Sequence, residues 1–395
     1  VSGQDVEDLG QRATLPDITS YPKVSKPWTV QPMLCTLVEE PFSAENWLFE
    51  MKWDGYRAIA SKKGAHVALY SRNNNDFSIA YPPVVEALHE LQYDVIFDGE
   101  IVVTDQQGRP HFELLQNWRQ AKQGTLVYYI FDILWYEGRD VRTMPLIERK
   151  RLLESILPKH DLLRYSDHIE QDGQGLFDQV RKHHVEGIVA KQADSAYSEG
   201  QRGKKWLKIK TENRQEVVIG GFTEPRGKRT SLGSLLVGVY RNDQFIYVGH
   251  SGGGIPDNQR FALRKKLERL ERKTSPFSTE PIPNAPVHWV RPEIVCEMSF
   301  SEWTDDGFMR HPKFEGLRVD KEATAVRKEQ PQPSKQLPTR SSRKSTTSIW
   351  SNRFEAWLRH GSFLYQRVTT SAKKPGADKP ANLLQEITSH RTGVN

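Results

Sequence analysis

The chain has 395 residues, 37% hydrophobic and 27% charged, more than one compact core usually holds, so two domains and a tail are expected. Its net charge of +6 is uneven: residues 322–395 hold 13 basic and 5 acidic side chains, and everything before them sums to −2, so a nucleic-acid site in the body must be a local patch. With no bilayer-length apolar run, no secretory leader at its polar start, and only Cys35 and Cys296 without CxxC spacing, the sequence excludes a disulfide scaffold or a cysteine zinc site and predicts a cytoplasmic protein.

Residues 1–30 are polar and lack a sustained period, which predicts an arm or linker. From about Trp47 to Lys210, strand and helix patterns alternate, predicting an α+β domain. Its first sharp feature is FEMKWDGYRA at 49–58, in which Lys52 is followed at once by Trp-Asp-Gly and then Arg57. A lysine amine has a reference pKa of about 10.4, so a nucleophilic lysine needs help. Cationic neighbours or a low-polarity pocket would lower that value. The glycine lets the backbone turn and lets a ligand approach closely. A surface turn with ordinary charges is the plainer alternative.

VIFDGEIVV at 95–103 reads as a buried strand. The period of two places Asp98 and Glu100 on one face, and two carboxylates on an apolar strand are costly unless they meet cations or strong donors. Glu186 interrupts the apolar VEGIVAK run in the same way. Together they fit Mg²⁺ beside a triphosphate; solubilising charges at a strand edge fit each one alone. Phe131, in the buried strand LVYYIFDIL at 126–134, is either core or a face on which a purine stacks. Pro145 opens a helix with apolar residues at helical spacing. The two adjacent histidines, His183 and His184, point apart on any regular element, so they do not share a metal. In WLKIK at 206–210, Lys208 and Lys210 lie side by side on one face and repel unless an anion sits between them, although a solvated basic edge is an equally simple reading. They belong to a basic run from Arg202 through Lys204, Lys205 and Arg214 to Arg226, Lys228 and Arg229.

After Thr211, short strands separated by Gly, Asn and Asp turns predict a small barrel, followed by a charged helix at about 257–272 and a strand around 293–300. Gly249-His250-Ser251-Gly252-Gly253 matches the GxSxG pattern of hydrolases, but Pro256 delays the helix and no oxyanion element precedes it. Beyond Lys321 the composition turns to Pro, Ser and Gln with basic residues, a disordered tail. Within it Trp350, Phe354, Trp357 and Leu358 suggest one short amphipathic helix that packs on the body or frays.

Read in order, KWDGYR (52–57), SR (71–72), DGE (98–100), IFDIL around Phe131, EGIVAK (186–191), WLKIK (206–210) and RVDK (318–321) resemble the covalent nucleotidyltransferases, and among them the ATP-dependent DNA ligases. Further details, including GGFTEPRGKRTSLGSLLVGVY and VRPEIVCEMSFSEWT, look most like the ligase module of bacterial ligase D. The resemblance implies a nucleotidyltransferase (adenylation) domain at 31–212 and an OB-fold barrel at 213–322, between an arm at 1–30 and a tail at 323–395. It also implies roles. Lys52 would carry AMP, Glu50 and Arg57 would hold the adenosine, Arg72 and Glu100 the sugar side, and Phe131 the adenine face. Glu186, with Glu100, would act with Mg²⁺ or Mn²⁺, while Lys208 and Lys210 would grip the phosphates. Arg318 and Lys321 would orient the leaving pyrophosphate. Implied as well are ATP as cofactor, nicked or broken double-stranded DNA as substrate, and a monomer in the cytoplasm or nucleoid. Ku-type end-binding proteins are the family's partners, although no residues here mark a Ku site. Capping or RNA-joining enzymes share the lysine chemistry. An NAD-dependent ligase would need an N-terminal NMN-recognising domain and a zinc element, and a non-catalytic end-binding scaffold would not need Lys52, Glu100 and Glu186 together.

Overall fold

The computed structural model describes residues 16–332, except 26, 28, 226–230 and 283–284, together with Phe354 and Trp357. The first domain has two antiparallel-rich sheets. One runs Leu34–Leu37, Arg202–Lys210, Gly187–Gln192, Trp47–Met51, Ile169–Glu170; the other runs His66–Ser71, Tyr56–Lys63, Val95–Thr104, Thr125–Tyr136, Arg139–Asp140, with Leu163–Tyr165 alongside. The central strands are long and almost wholly buried, which explains why they read as continuous apolar runs. Leu48 and Trp206 of the first sheet join Ile59, Ile96 and Phe131 of the second in one buried cluster. Helices Pro82–His89 and Phe112–Ala121 pack on the second sheet through Val84, Leu88, Leu115 and Trp118. Among the described residues no helix is long and apolar enough to cross a membrane.

Only Thr211 and Glu212 separate strand Arg202–Lys210 from Asn213–Thr223, the first strand of the second domain. That strand pairs with Leu235–Arg241 on one side and with both Val287–Val290 and Val295–Phe300 on the other, so the sheet curls into the barrel that the turn-rich pattern predicts. The charged helix is shorter than expected, Asp257–Glu268, because Glu271–Arg272 leave it to pair with Val290 and Trp289. Ser251 is buried and bonded to the Pro312 and Gly253 carbonyls, so the GxSxG match is a structural turn and not a nucleophile elbow.

The motif glycines serve packing between strands. A Cβ on Gly55 would lie 2.2 Å from the Ile101 carbonyl oxygen, and one on Gly99 2.5 Å from that of Tyr129. The closeness expected of Gly55 toward a ligand is thus a closeness to a neighbouring strand. At the other end of the chain, the expected disorder from Ala323 does not hold for the first ten residues. Ala323–Ala325 form a 3₁₀ turn, Val326 packs in the barrel core, and Gln332 bonds to Leu37 of the first domain. Phe354 and Trp357 are buried against the first domain, with the Phe354 ring 5.0 Å from that of His183, in keeping with a tail helix that packs on the body. The rest of the tail, and Arg226, Lys228 and Arg229 of the basic run, lie outside the described residues.

Candidate functional site

All eleven residues to which the resemblance assigns a role line one cleft between the two domains: Glu50, Lys52, Arg57, Arg72, Glu100, Phe131, Glu186, Lys208, Lys210, Arg318 and Lys321. Strand pairing explains the convergence. Trp47–Met51 is antiparallel to Gly187–Gln192, with Ile188 opposite Met51, which brings Lys52 beside Glu186; the Lys52 amide also donates to the Gly187 carbonyl at 2.9 Å. Val189 lies opposite both Glu50 and Lys208, and Arg57 opposite Glu100. The barrel supplies the far wall. The Leu317 carbonyl accepts from Gln116 at 2.6 Å, Asn73 donates to the Asp320 carbonyl at 2.9 Å, and the Arg318 guanidinium lies 4.9 Å from the Phe112 ring centre.

Most of the charges in the cleft are paired with one another. Lys52 Nζ is paired with Glu186. Arg57 holds both oxygens of Asp98 at 2.5 Å, and Tyr197 donates to the same carboxylate at 2.6 Å. Lys208 and Lys210 share Glu329 at 2.5 and 3.1 Å, Lys321 takes Glu216 at 2.8 Å, and Arg318 takes Asp320 at 3.0 Å. Asp98 therefore does not face the cleft beside Glu100. It is fully buried beneath Arg57 and aims that guanidinium at Phe131, whose ring centre is 4.6 Å away.

Burial works to lower the Lys52 pKa, as expected, but Glu186, then Glu297 and Asp54, outweigh it and hold the amine well above its ordinary value. In this state Lys52 is an ammonium, and the expectation of a lowered pKa is corrected: no cationic neighbour dominates it. Burial pushes Asp54 up to about 6, with Glu186 and Glu297 adding to the effect, and Oδ1 of Asp54 is buried without a hydrogen-bond partner. Burial also lifts Glu100 to about 7, against the pull of Arg57, Lys52 and Arg318. Lys208 is drawn down to about 8 by burial and by Lys210.

Lys150, Lys191 and Trp53 belong to the site but were not singled out from the sequence. Glu50 is buried and bound at 2.8 Å by both Lys150 and Lys191, and Lys150 donates on to the Ser166 carbonyl at 2.9 Å. Trp53 stacks on Tyr129 with ring centres 3.6 Å apart and donates to the Ser166 hydroxyl at 3.0 Å, so this network fixes the backbone on either side of Lys52. Lys191 closes the EGIVAK run and carried a signal. Lys150, inside a helix whose sequence gives no hint of a buried ammonium, carried none.

The arrangement presents a primary amine at the centre of a cleft, with cations spread on both sides to receive several phosphates and an aromatic face at one end. Two family models match the chain: the ATP dependent DNA ligase domain over residues 32–210, and the ATP dependent DNA ligase C terminal region over residues 228–321. It is 37% identical over 333 residues to the multifunctional non-homologous end joining protein LigD of Pseudomonas aeruginosa, covering 82% of this chain and 39% of that one. With the protein of the same name from Mycolicibacterium smegmatis it shares 36% identity over 305 residues, covering 76% and 40%. The chain thus spans about two fifths of those relatives' length. The solved structure of mycobacterial DNA ligase D complexed with ATP and MES superposes with a TM-score of 0.59 at 34% identity, over 76% of this chain and 98% of that one.

Proposed function

The chain belongs to the ATP-dependent DNA ligases, and from that premise we propose that it seals 5′-phosphate/3′-hydroxyl breaks in double-stranded DNA through an adenylyl group carried on Lys52. The observation that supports this most is the central position of Lys52 in a cleft where Lys208, Lys210 and Lys321 can exchange a carboxylate for a phosphate oxygen. Lys52 Nζ, once deprotonated, attacks the α-phosphorus of ATP; the nitrogen–phosphorus bond forms as the bond to pyrophosphate breaks. The AMP then passes to the DNA 5′-phosphate, freeing Lys52, and the 3′-hydroxyl displaces AMP to close the backbone. Phe131 stacks on the adenine, and Arg57, held by Asp98, and Glu50, held by two lysines, bind the adenosine. Arg72 and Glu100 take the sugar side, and Lys208 and Lys210 the phosphates.

Glu186 and Asp54 fit a divalent cation: Asp54 Oδ1 is buried with no partner, burial and then its acidic neighbours raise Asp54, and Glu186 is freed whenever Lys52 turns to a phosphate. Glu100 lines the Lys52 cleft together with Glu186. Mg²⁺ takes one or two carboxylates and completes its shell with phosphate and water. When bound, the cation would neutralise charge on the phosphates and depress the pKa of Lys52. On the same reading the protein works as a monomer in the cytoplasm, with Ku-type end-binding proteins, in end joining like its relatives.

Arg318 and Lys321 face the cleft from the barrel, where they orient the leaving pyrophosphate and then withdraw with the barrel to admit DNA. Lys321→Ala should slow self-adenylation by on the order of a hundredfold, the usual cost of one lost charge-stabilising donor, while sealing of a pre-adenylated nick changes far less. Equal losses in both steps would overturn that division of labour. The function itself is tested with ATP, Mg²⁺ and a nicked duplex bearing a 5′-phosphate. Sealed DNA is expected, with little or no product from a matching nicked RNA duplex. Equal sealing of the RNA would make this an RNA-joining enzyme.

A further inference from the structure

Two neighbouring lysines need an anion between them, and the chain supplies its own. Glu329 lies eight residues beyond Lys321, where the sequence reads as a linker. Its two carboxylate oxygens go one to each lysine, at 2.5 Å from Lys208 and 3.1 Å from Lys210, as two oxygens of a phosphate would. The carboxylate is delivered by a backbone fixed on both sides. Val326 accepts from the Tyr240 amide at 2.9 Å in the barrel, the Gln215 side chain bonds the Arg327 carbonyl at 3.0 Å and the Glu329 amide at 2.9 Å, and the Gln332 amide donates to Leu37 at 2.9 Å. The segment thus crosses from the barrel to the first domain, and Glu329 is the point at which it enters the cleft. Burial would raise the Glu329 carboxyl, but the two lysines hold it down to about 2, so it is an anion at any working pH.

We propose that Glu329 is a resident competitor for the phosphate-gripping lysines, which ATP displaces on binding and which returns to expel pyrophosphate once Lys52 has been adenylated. The inference rests on the reading of Lys208 and Lys210 as phosphate ligands. An internal anion tethered beside its cations weakens every phosphate ligand that must replace it, by the fraction of time it occupies them. The strap's backbone bonds do not involve the carboxylate, so the side chain can swing aside while the strap stays in place. Glu329 is bonded to Lys208 and Lys210 and not to Lys52, and acts as a positioning residue, setting how long pyrophosphate stays and how readily the adenylation runs backward.

The test compares the full chain with Glu329→Gln, Glu329→Asp and Lys210→Ala, using inorganic pyrophosphate as the probe. Pyrophosphate inhibition of self-adenylation and pyrophosphate-driven removal of AMP from Lys52 are measured with the thermal midpoint of each variant. Glu329→Gln should bind pyrophosphate and ATP about tenfold more tightly, the factor expected if the lysines are free in about a tenth of molecules. Glu329→Asp should lie between, and Lys210→Ala should bind pyrophosphate more weakly. Weaker binding in Lys210→Ala with no tightening in Glu329→Gln overturns the competitor role and leaves the phosphate site standing. A lower midpoint without tightening does the same, since that is what a merely structural strap predicts. No weakening in Lys210→Ala removes the phosphate reading, and the competitor falls with it.

Discussion

Lys52→Ala should show no adenylyl adduct by intact mass after incubation with ATP and Mg²⁺, where the parent chain gains one. No neighbouring amine can substitute. Lys191 and Lys150 are both committed to Glu50, and Lys208, Lys210 and Lys321 are held by Glu329 and Glu216 on the phosphate side. The loss should be complete within detection because the nucleophile itself is removed and no fraction of its stabilisation remains. Adduct on the variant would move the chemistry to another residue. No adduct on either protein, with pre-bound AMP stripped and with GTP and NAD also tried, would leave a DNA-binding scaffold as the better account. Since Glu186 holds Lys52 protonated, the adduct should form slowly when the cation is omitted, even though every residue is in place.

The largest effect on folding is expected from Arg149→Ala. Arg149 is wholly buried, grips both oxygens of the equally buried Asp132 at 2.7 and 2.8 Å, and donates to the Ser195 carbonyl at 2.9 Å and to that of Met144. Truncation strands the Asp132 carboxylate with one remaining donor, the Ile133 amide, at a cost of about 3–5 kcal/mol. For a domain of this size that is a fall in thermal midpoint of roughly 6–20 °C. Because Asp132 follows Phe131 in the same strand, Phe131 should loosen too and, on the proposed reading of it as the adenine face, the KM for ATP should rise. Replacing both partners, Arg149→Met with Asp132→Leu, should recover part of the stability, since no charge is then left alone. A midpoint within 2 °C of the parent for Arg149→Ala, roughly the shift of a single kcal/mol, would refute the account.

The two domains and the cleft were legible because their motifs demand particular chemistry. A lysine beside Trp-Asp-Gly, carboxylates on apolar strands and paired lysines on one strand face have few bland explanations once they occur in order. What was illegible depends on contacts made far along the chain. The direction of the Lys52 shift is decided by Glu186, 134 residues away, and sequence does not say which carboxylate stands opposite an amine. Asp98 and Glu100 alternate as expected of a strand, yet a bulge between Asp98 and Gly99 and the reach of Arg57 give them separate tasks. Arg149 and Lys150 interrupt a helix that otherwise looks amphipathic, and a basic residue there reads as solvated when both are buried. Glu329 sits among prolines and glutamines, where composition says linker and only the fold says cleft.

The two cysteines, used at first only to exclude disulfides and zinc, also divide the molecule for an experimenter. Cys35 borders the Lys52 cleft and is partly exposed, whereas Cys296 is sealed in the barrel between Val217 and Leu317, with burial holding its thiol well above the usual range. An alkylating reagent therefore meets one thiol whose reaction reports occupancy of the cleft and another that reacts only as the barrel comes apart. Ligand binding and barrel unfolding can be followed separately in the same unmodified chain, with no engineered label.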